Sequence, residues 1–154
     1  MRELLARRVS GFGTSVFTEM SRLALEHGAV NLGQGFPDFS GPDFVKEAAV
    51  QAIRADHNQY AVSWGTPRLR RAIAATWQQR YGRPVDPEGE VTVASGATEL
   101  LLDAMLGLVN PGDEVILFEP FYDAYVPDIL MAGGTPRFVT LEPPDWRFDR
   151  QALA

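Results

Sequence analysis

The chain of 154 residues is long enough for one domain with a real core, and 45% hydrophobic with 22% charged residues is ordinary for a soluble globular protein. A net charge of -6, with no basic cluster beyond short runs such as Arg68, Arg70 and Arg71, argues against a nucleic-acid partner. Zero Cys and only His27 and His57 exclude disulfides, a thiol nucleophile and a zinc constellation.

Residues 1–13 read as an irregular or partly helical arm, without an apolar run long enough for a signal peptide or a membrane span, so the expected setting is cytoplasmic. A helix from Ser15 to His27 is expected to bury Phe17, Met20 and Ala24 and to stop at Gly28. Val30 to Pro42 is too rich in glycine and proline for a regular element; it fits either a tight connector or a loop that brings backbone close to a ligand. A second helix, from about Asp43 to Asp56, has Phe44, Val45, Ala48, Ala52 and Ile53 on its expected inner face. Lys46, the only lysine of the chain, lies near its start as a solvated charge.

Asn58 to Gly65 is a loop in which Tyr60 could be core or ligand contact. Thr66 and Pro67 form an N-cap and first-turn pair for a helix in which Leu69, Ile73, Trp77 and Tyr81 recur every four residues before Gly82 ends it. Arg68, Arg70 and Arg71 are expected on its solvated face. After a polar connector, Val91 to Ala94 reads as a short buried strand that turns through Ser95-Gly96-Ala97-Thr98 into a helix with Leu101, Ala104, Met105 and Leu108 on one side. The first N–H groups of that helix can hold a phosphate on Gly96, Ala97 and Thr98, although an ordinary helix cap fits the same residues.

Asn110-Pro111-Gly112-Asp113 ends the helix, and Glu114 to Glu119 reads as a second buried strand delivering Pro120-Phe121-Tyr122 to the same rim. In an open parallel α/β sheet that rim is where ligands bind. A short helix from Ala124 to Met131, with Pro127 in its first turn, closes at Gly133-Gly134. Thr135 to Leu141 reads as a third strand, Glu142 to Phe148 as a proline-rich loop, and a further helix starts at about Asp149. No dinucleotide fingerprint, P-loop or nucleophile elbow occurs; Gly11-Phe12-Gly13, for one, is followed by Val16 where a third glycine is needed.

The run Ser95-Gly96-Ala97-Thr98, the strand leading to Pro120-Phe121-Tyr122, and the earlier Asn31 to Phe39 and Asn58-Gln59-Tyr60 together resemble the pyridoxal-phosphate aminotransferases of fold type I. They look like the branch holding kynurenine, glutamine and methionine aminotransferases. The resemblance covers about Gly11 to Phe148. It implies an α/β fold, mainly a parallel sheet flanked by helices, with 1–45 as an N-terminal arm and small-domain segment and 46–154 as the first, incomplete part of the cofactor-binding large domain.

The resemblance further implies that Gly96, Ala97 and Thr98 hold the phosphate of pyridoxal 5'-phosphate and that Tyr122 stacks on its ring. Tyr60 would cross a homodimer interface to the partner's cofactor phosphate. Gly35, with Asn31, Gln34 and Phe36 nearby, would sit against the substrate α-carboxylate, and Val16 and Phe17 are weaker candidates for the side-chain pocket. The implied reaction moves an amino group between an amino acid with a sizeable neutral side chain and a 2-oxo acid. The family's Schiff-base lysine has no counterpart here, so no catalytic residue is assigned and the chain is expected to be the N-terminal part of a longer one. An N-succinyldiaminopimelate aminotransferase, a fold-type-I lyase and a non-catalytic truncated binding module are the alternatives.

Overall fold

The computed structural model describes residues 4–153; the first three residues of the expected arm and Ala154 of the expected last helix lie outside the described residues. The chain divides into two compact units, Gly35–Ala94 and the segments on either side of it. Among the described residues no helix is long and apolar enough to cross a membrane.

The outer segments carry the sheet. A 3-10 turn at Arg7–Val9 precedes α1, Val16–Glu26, whose N-cap Ser15 accepts from the Thr18 N–H. Phe17 and Ala24 of α1 are half-buried, but Met20 is exposed, against expectation. The next regular element of this unit is α4, Ala97–Leu108, which feeds β1, Glu114–Glu119. Between them Asp113 accepts from the backbone N–H and the side-chain amide of Asn110, and these bonds hold its carboxyl below the usual range.

From β1 the chain crosses through α5, Tyr125–Met131, to β2, Thr135–Thr140, which pairs with β1 in parallel register from Glu114 opposite Thr135 to Glu119 opposite Thr140. Pro127 is tolerated because it lies in the first turn of α5, where its missing N–H has no intrahelical partner to lose. Alternation along the strands places Leu117 and Val139, both buried, on opposite faces of the pair. The core is completed by the fully buried Ile129 of α5, a helix that packs on α4, on β2 and on the Arg7–Val9 turn. The last described residues form a 3-10 turn, Arg150–Leu153.

The Gly35–Ala94 unit holds α2, Asp43–Arg54, and α3, Pro67–Tyr81. Thr66 caps α3 at the Leu69 N–H, and Gly82 ends it in the left-handed conformation. Three expectations fail here. The strand at Val91–Ala94 does not form: the Val93 N–H donates to the Trp64 carbonyl, a loop contact, and an extended segment without a neighbouring ladder is no strand. The expected inner face of α2 is open, with Phe44, Val45 and Ile53 exposed and only Ala52 half-buried, because amphipathic spacing shows which face can be buried and not whether anything in the unit covers it. Arg70, placed on a solvated face, is 1% exposed because acceptors from two loops surround it.

Gly134 marks the tightest approach in the sheet unit. A Cβ there would fall 2.8 Å from Val109 Cγ1 and 3.1 Å from Ile129 Cγ2. We expect Gly134→Ala to lower the unfolding free energy by about 1–3 kcal/mol through overpacking, read as a lower urea midpoint at unchanged slope.

Asp128 is 4% exposed and its Oδ2 has no hydrogen-bond partner, so burial pushes its carboxyl above the ordinary 3.8. The folded chain therefore holds the Asp128 proton to higher pH than the unfolded chain does. Stability falls as pH rises from the ordinary value through the raised one and stays reduced above it. Asp128→Asn removes this slope; urea melts of both proteins between about pH 4 and pH 8 should converge at the acid end and diverge, with the variant more stable, at the neutral end.

Candidate functional site

The start of α4 depends on a backbone conformation that favours glycine. Gly96 lies at φ +107°, with nothing within 4 Å of the point a Cβ would occupy. With glycine at the N-cap there is no cap side chain to bond the first amides of the helix, and residues 95–99 are all exposed. The N–H groups of Ala97 and Thr98 thus open outward at the positive end of the helix dipole, a fit for an anion. Glu99, passed over in the sequence reasoning, turns its Oε2 back to accept from the Ser95 N–H. A glutamate at the third helical position was the available signal, because such a group can reach back across the cap.

Tyr122 follows from how β1 ends. Phe121 is half-buried and stacks on Phe138 of β2, ring centroids 5.5 Å apart and planes 19° apart. Tyr122 keeps 43% of its surface exposed. Its ring lies 6.1 Å from that of Phe17, tilted, and 5.7 Å from that of Tyr125, edge-on. Of the two weaker candidates for a side-chain pocket, Phe17 is therefore beside Tyr122, and Val16 is exposed.

Asn31 is half-buried and its amide is already engaged: Nδ2 donates to Ser21 Oγ at 3.1 Å, and Oδ1 accepts from the Gly33 N–H at 2.9 Å. These bonds tie the start of the glycine-rich loop to α1. Gln34 is exposed in the same unit, which also holds Gly96, Ala97, Thr98 and Tyr122. Gly35, Phe36 and Tyr60 belong to the Gly35–Ala94 unit. Gly35 has open space around it, Phe36 is exposed, and Tyr60 is exposed over its whole surface. Lys46 is paired with Asp43 on the surface of α2 at 2.6 Å.

Residues 27–154 match the family model described as aminotransferase class I and II. The chain is 46% identical over 142 residues to the methionine aminotransferase of Escherichia coli (strain K12), covering 92% of this chain and 37% of that protein. It is 52% identical over 136 residues to a probable N-succinyldiaminopimelate aminotransferase of Mycobacterium tuberculosis, covering 88% of this chain and 34% of that protein. A solved structure of an Escherichia coli protein identified with a methionine aminotransferase function aligns with a TM-score of 0.90 at 43% identity, over 97% of this chain and 39% of that one. The chain spans little more than a third of the length of these relatives. The family's enzymes depend on pyridoxal phosphate, and the open mouth of α4 fits its phosphate. With the family model matched over most of its residues, the chain belongs to the class I and II aminotransferases.

Proposed function

We propose that this chain supplies the phosphate cradle and one ring-covering side chain of a pyridoxal-phosphate aminotransferase, a homodimer that moves an amino group between an amino acid and a 2-oxo acid. The observation that carries the reading is the start of α4, where Gly96 at φ +107° leaves the Ala97 and Thr98 amides uncovered. The two amides would donate to phosphate oxygens, the missing Cβ of Gly96 would admit close approach, and the Thr98 hydroxyl would add a further donor. Tyr122 would lie on one face of the ring, its own far side propped by Phe17 and Tyr125. Bound pyridoxal phosphate supplies an aldehyde for the amino group and an electron sink for the negative charge that develops at the α-carbon. Gly35, with Gln34 and Phe36, would face the substrate carboxylate, and Asn31 would act by fixing the loop that carries them.

Tyr60 is proposed to serve the neighbouring copy. A fully exposed tyrosine on a loop hydrogen-bonded at both ends suits a ligand that arrives on another surface. The amino donor we infer is large and neutral, in keeping with the similarity to methionine and kynurenine enzymes. The 52% identity to the mycobacterial relative favours, as a second reading, an acylated diamino acid. A panel of amino donors given to a polypeptide that carries this chain separates the two.

Two outcomes are expected. Gly96→Val should weaken binding of pyridoxal phosphate about tenfold, roughly 1.4 kcal/mol, while leaving binding of phosphate-free pyridoxal unchanged, whereas Tyr122→Ala should weaken both. Equal effects of Gly96→Val on the two ligands in a calorimetric titration would sink the cradle. The 154 residues by themselves should show no transaminase turnover, and Lys46→Met should not change cofactor affinity, because the lone lysine is a solvated charge on the surface of α2, beside Asp43. Turnover by the purified chain, lost in Lys46→Met, would overturn the assignment of the covalent step to residues outside it.

A further inference from the structure

Arg70 is the most deeply buried charged side chain among the described residues, and its guanidinium joins two loops. Nε donates to the Gly65 carbonyl at 3.0 Å, Nη1 to the Pro87 carbonyl at 2.6 Å, and Nη2 to Glu88 Oε2 at 2.9 Å. The acidic turn that supplies the last two acceptors is held by its own bonds. Asp86 N–H donates to Glu90 Oε2 at 2.7 Å, Glu88 N–H to Asp86 Oδ1 at 3.0 Å, and Glu90 N–H to the Asp86 carbonyl at 2.8 Å. A planar guanidinium gripped by such a turn is a fixed donor. Its remaining bond, to Gly65, fixes the end of the loop that carries Tyr60.

The geometry at Gly65 leaves that loop end little freedom. Gly65 lies at φ +101°, its N–H donates to the Val62 carbonyl at 2.8 Å, and a Cβ would fall 2.7 Å from the Cβ of Val93. The Trp64 carbonyl accepts from the Val93 N–H at 3.1 Å, and at the other end Asn58 Nδ2 donates to the Ile53 carbonyl at 3.3 Å. Tyr60 stands between these anchors, fully exposed.

We propose that Arg70 is the positioning residue of the tyrosine loop: through the Gly65 carbonyl it sets how Tyr60 is presented to a phosphate held by a partner copy. The inference rests on the proposed function for what Tyr60 meets, and on the hydrogen bonds alone for what holds the loop. Arg70 acts through Gly65 and touches neither substrate nor cofactor.

The test combines hydrogen exchange of the ligand-free protein with pyridoxal-phosphate affinity, in a polypeptide that carries this chain. Arg70→Lys keeps a charge for Glu88 but cannot serve both loop carbonyls with a planar fork, so amides of residues 60–65 should exchange about tenfold faster, with α4 and β1 unchanged. Glu88→Gln, at an exposed carboxylate, leaves both carbonyl bonds and should shift the same amides by less than about twofold. Cofactor affinity should fall in Arg70→Lys, and the loss should not add to that of Tyr60→Phe in the double variant. Unchanged exchange at residues 60–65, or equal acceleration in α4 and β1, would overturn the proposal, as would additive losses. If Tyr60→Phe leaves affinity intact while Arg70→Lys loosens the loop, the reading of Tyr60 as a phosphate contact fails and the anchoring by Arg70 stands.

Discussion

Parallel pairing of β1 with β2 constrains the sheet unit more than any other interaction. Two strands that run the same way cannot be joined by a hairpin, so the chain must leave the end of β1, cross back and re-enter beside its start. That crossing is α5, and its return is so close that only a glycine fits at residue 134, against Val109 and Ile129. The crossing also decides what happens just beyond β1. Phe121 is taken up by Phe138 on the neighbouring strand, and the following residue, Tyr122, meets Phe17 and Tyr125 with much of its ring in the open. The exposed tyrosine of the candidate site is thus a consequence of strand order and of one aromatic stack.

Features governed by near neighbours were legible in the sequence. Ser15 and Thr66 cap the helices they precede, Gly82 ends α3 in the left-handed region, and β1 has the bounds its apolar run suggests. The turn at Gly96 and the outward Ala97 and Thr98 belong to the same class, since a glycine before an apolar helix is read within a few residues. What failed depends on distant segments. Arg70 reads as a surface charge until Pro87 and Glu88, remote in the chain, arrive to accept its hydrogen bonds. Val91 to Ala94 has strand composition, but a ladder needs a second chain segment, and the Val93 N–H finds the Trp64 carbonyl instead.

The exposed apolar faces follow the same logic. Leu69, Ile73, Trp77 and Tyr81 recur along α3, with the rings of Trp77 and Tyr81 4.5 Å apart, yet they line an open groove of about 370 Å³. Burial within the Gly35–Ala94 unit goes to Arg70 and Ala74, on another side of the same helix. Periodicity thus identified an apolar stripe correctly and said nothing about its cover. Within this unit the ordering force is polar: a guanidinium and a self-bonded acidic turn do what a hydrophobic layer does around Ile129 in the other unit. Such an arrangement is sensitive to the loss of any one partner, because a buried guanidinium left without acceptors carries a desolvation cost that no packing returns.

Anchoring of the tyrosine loop has an energetic consequence for binding. An exposed loop free to wander would give up conformational entropy when its side chain engaged a ligand, at a cost of about 1–2 kcal/mol for each backbone residue ordered. Here both ends of Asn58–Gly65 are fixed before any ligand arrives, by Asn58 on the last turn of α2 and by Gly65 on Arg70. With that loss taken during folding, a ligand bound by the Tyr60 hydroxyl, as proposed, would show more of its interaction free energy as affinity. Tightening the loop further gains little once its ends are held, whereas freeing one end returns the entropy cost to the binding step. On the proposed role of Tyr60, Arg70 would influence affinity from a buried position, through the Gly65 carbonyl alone.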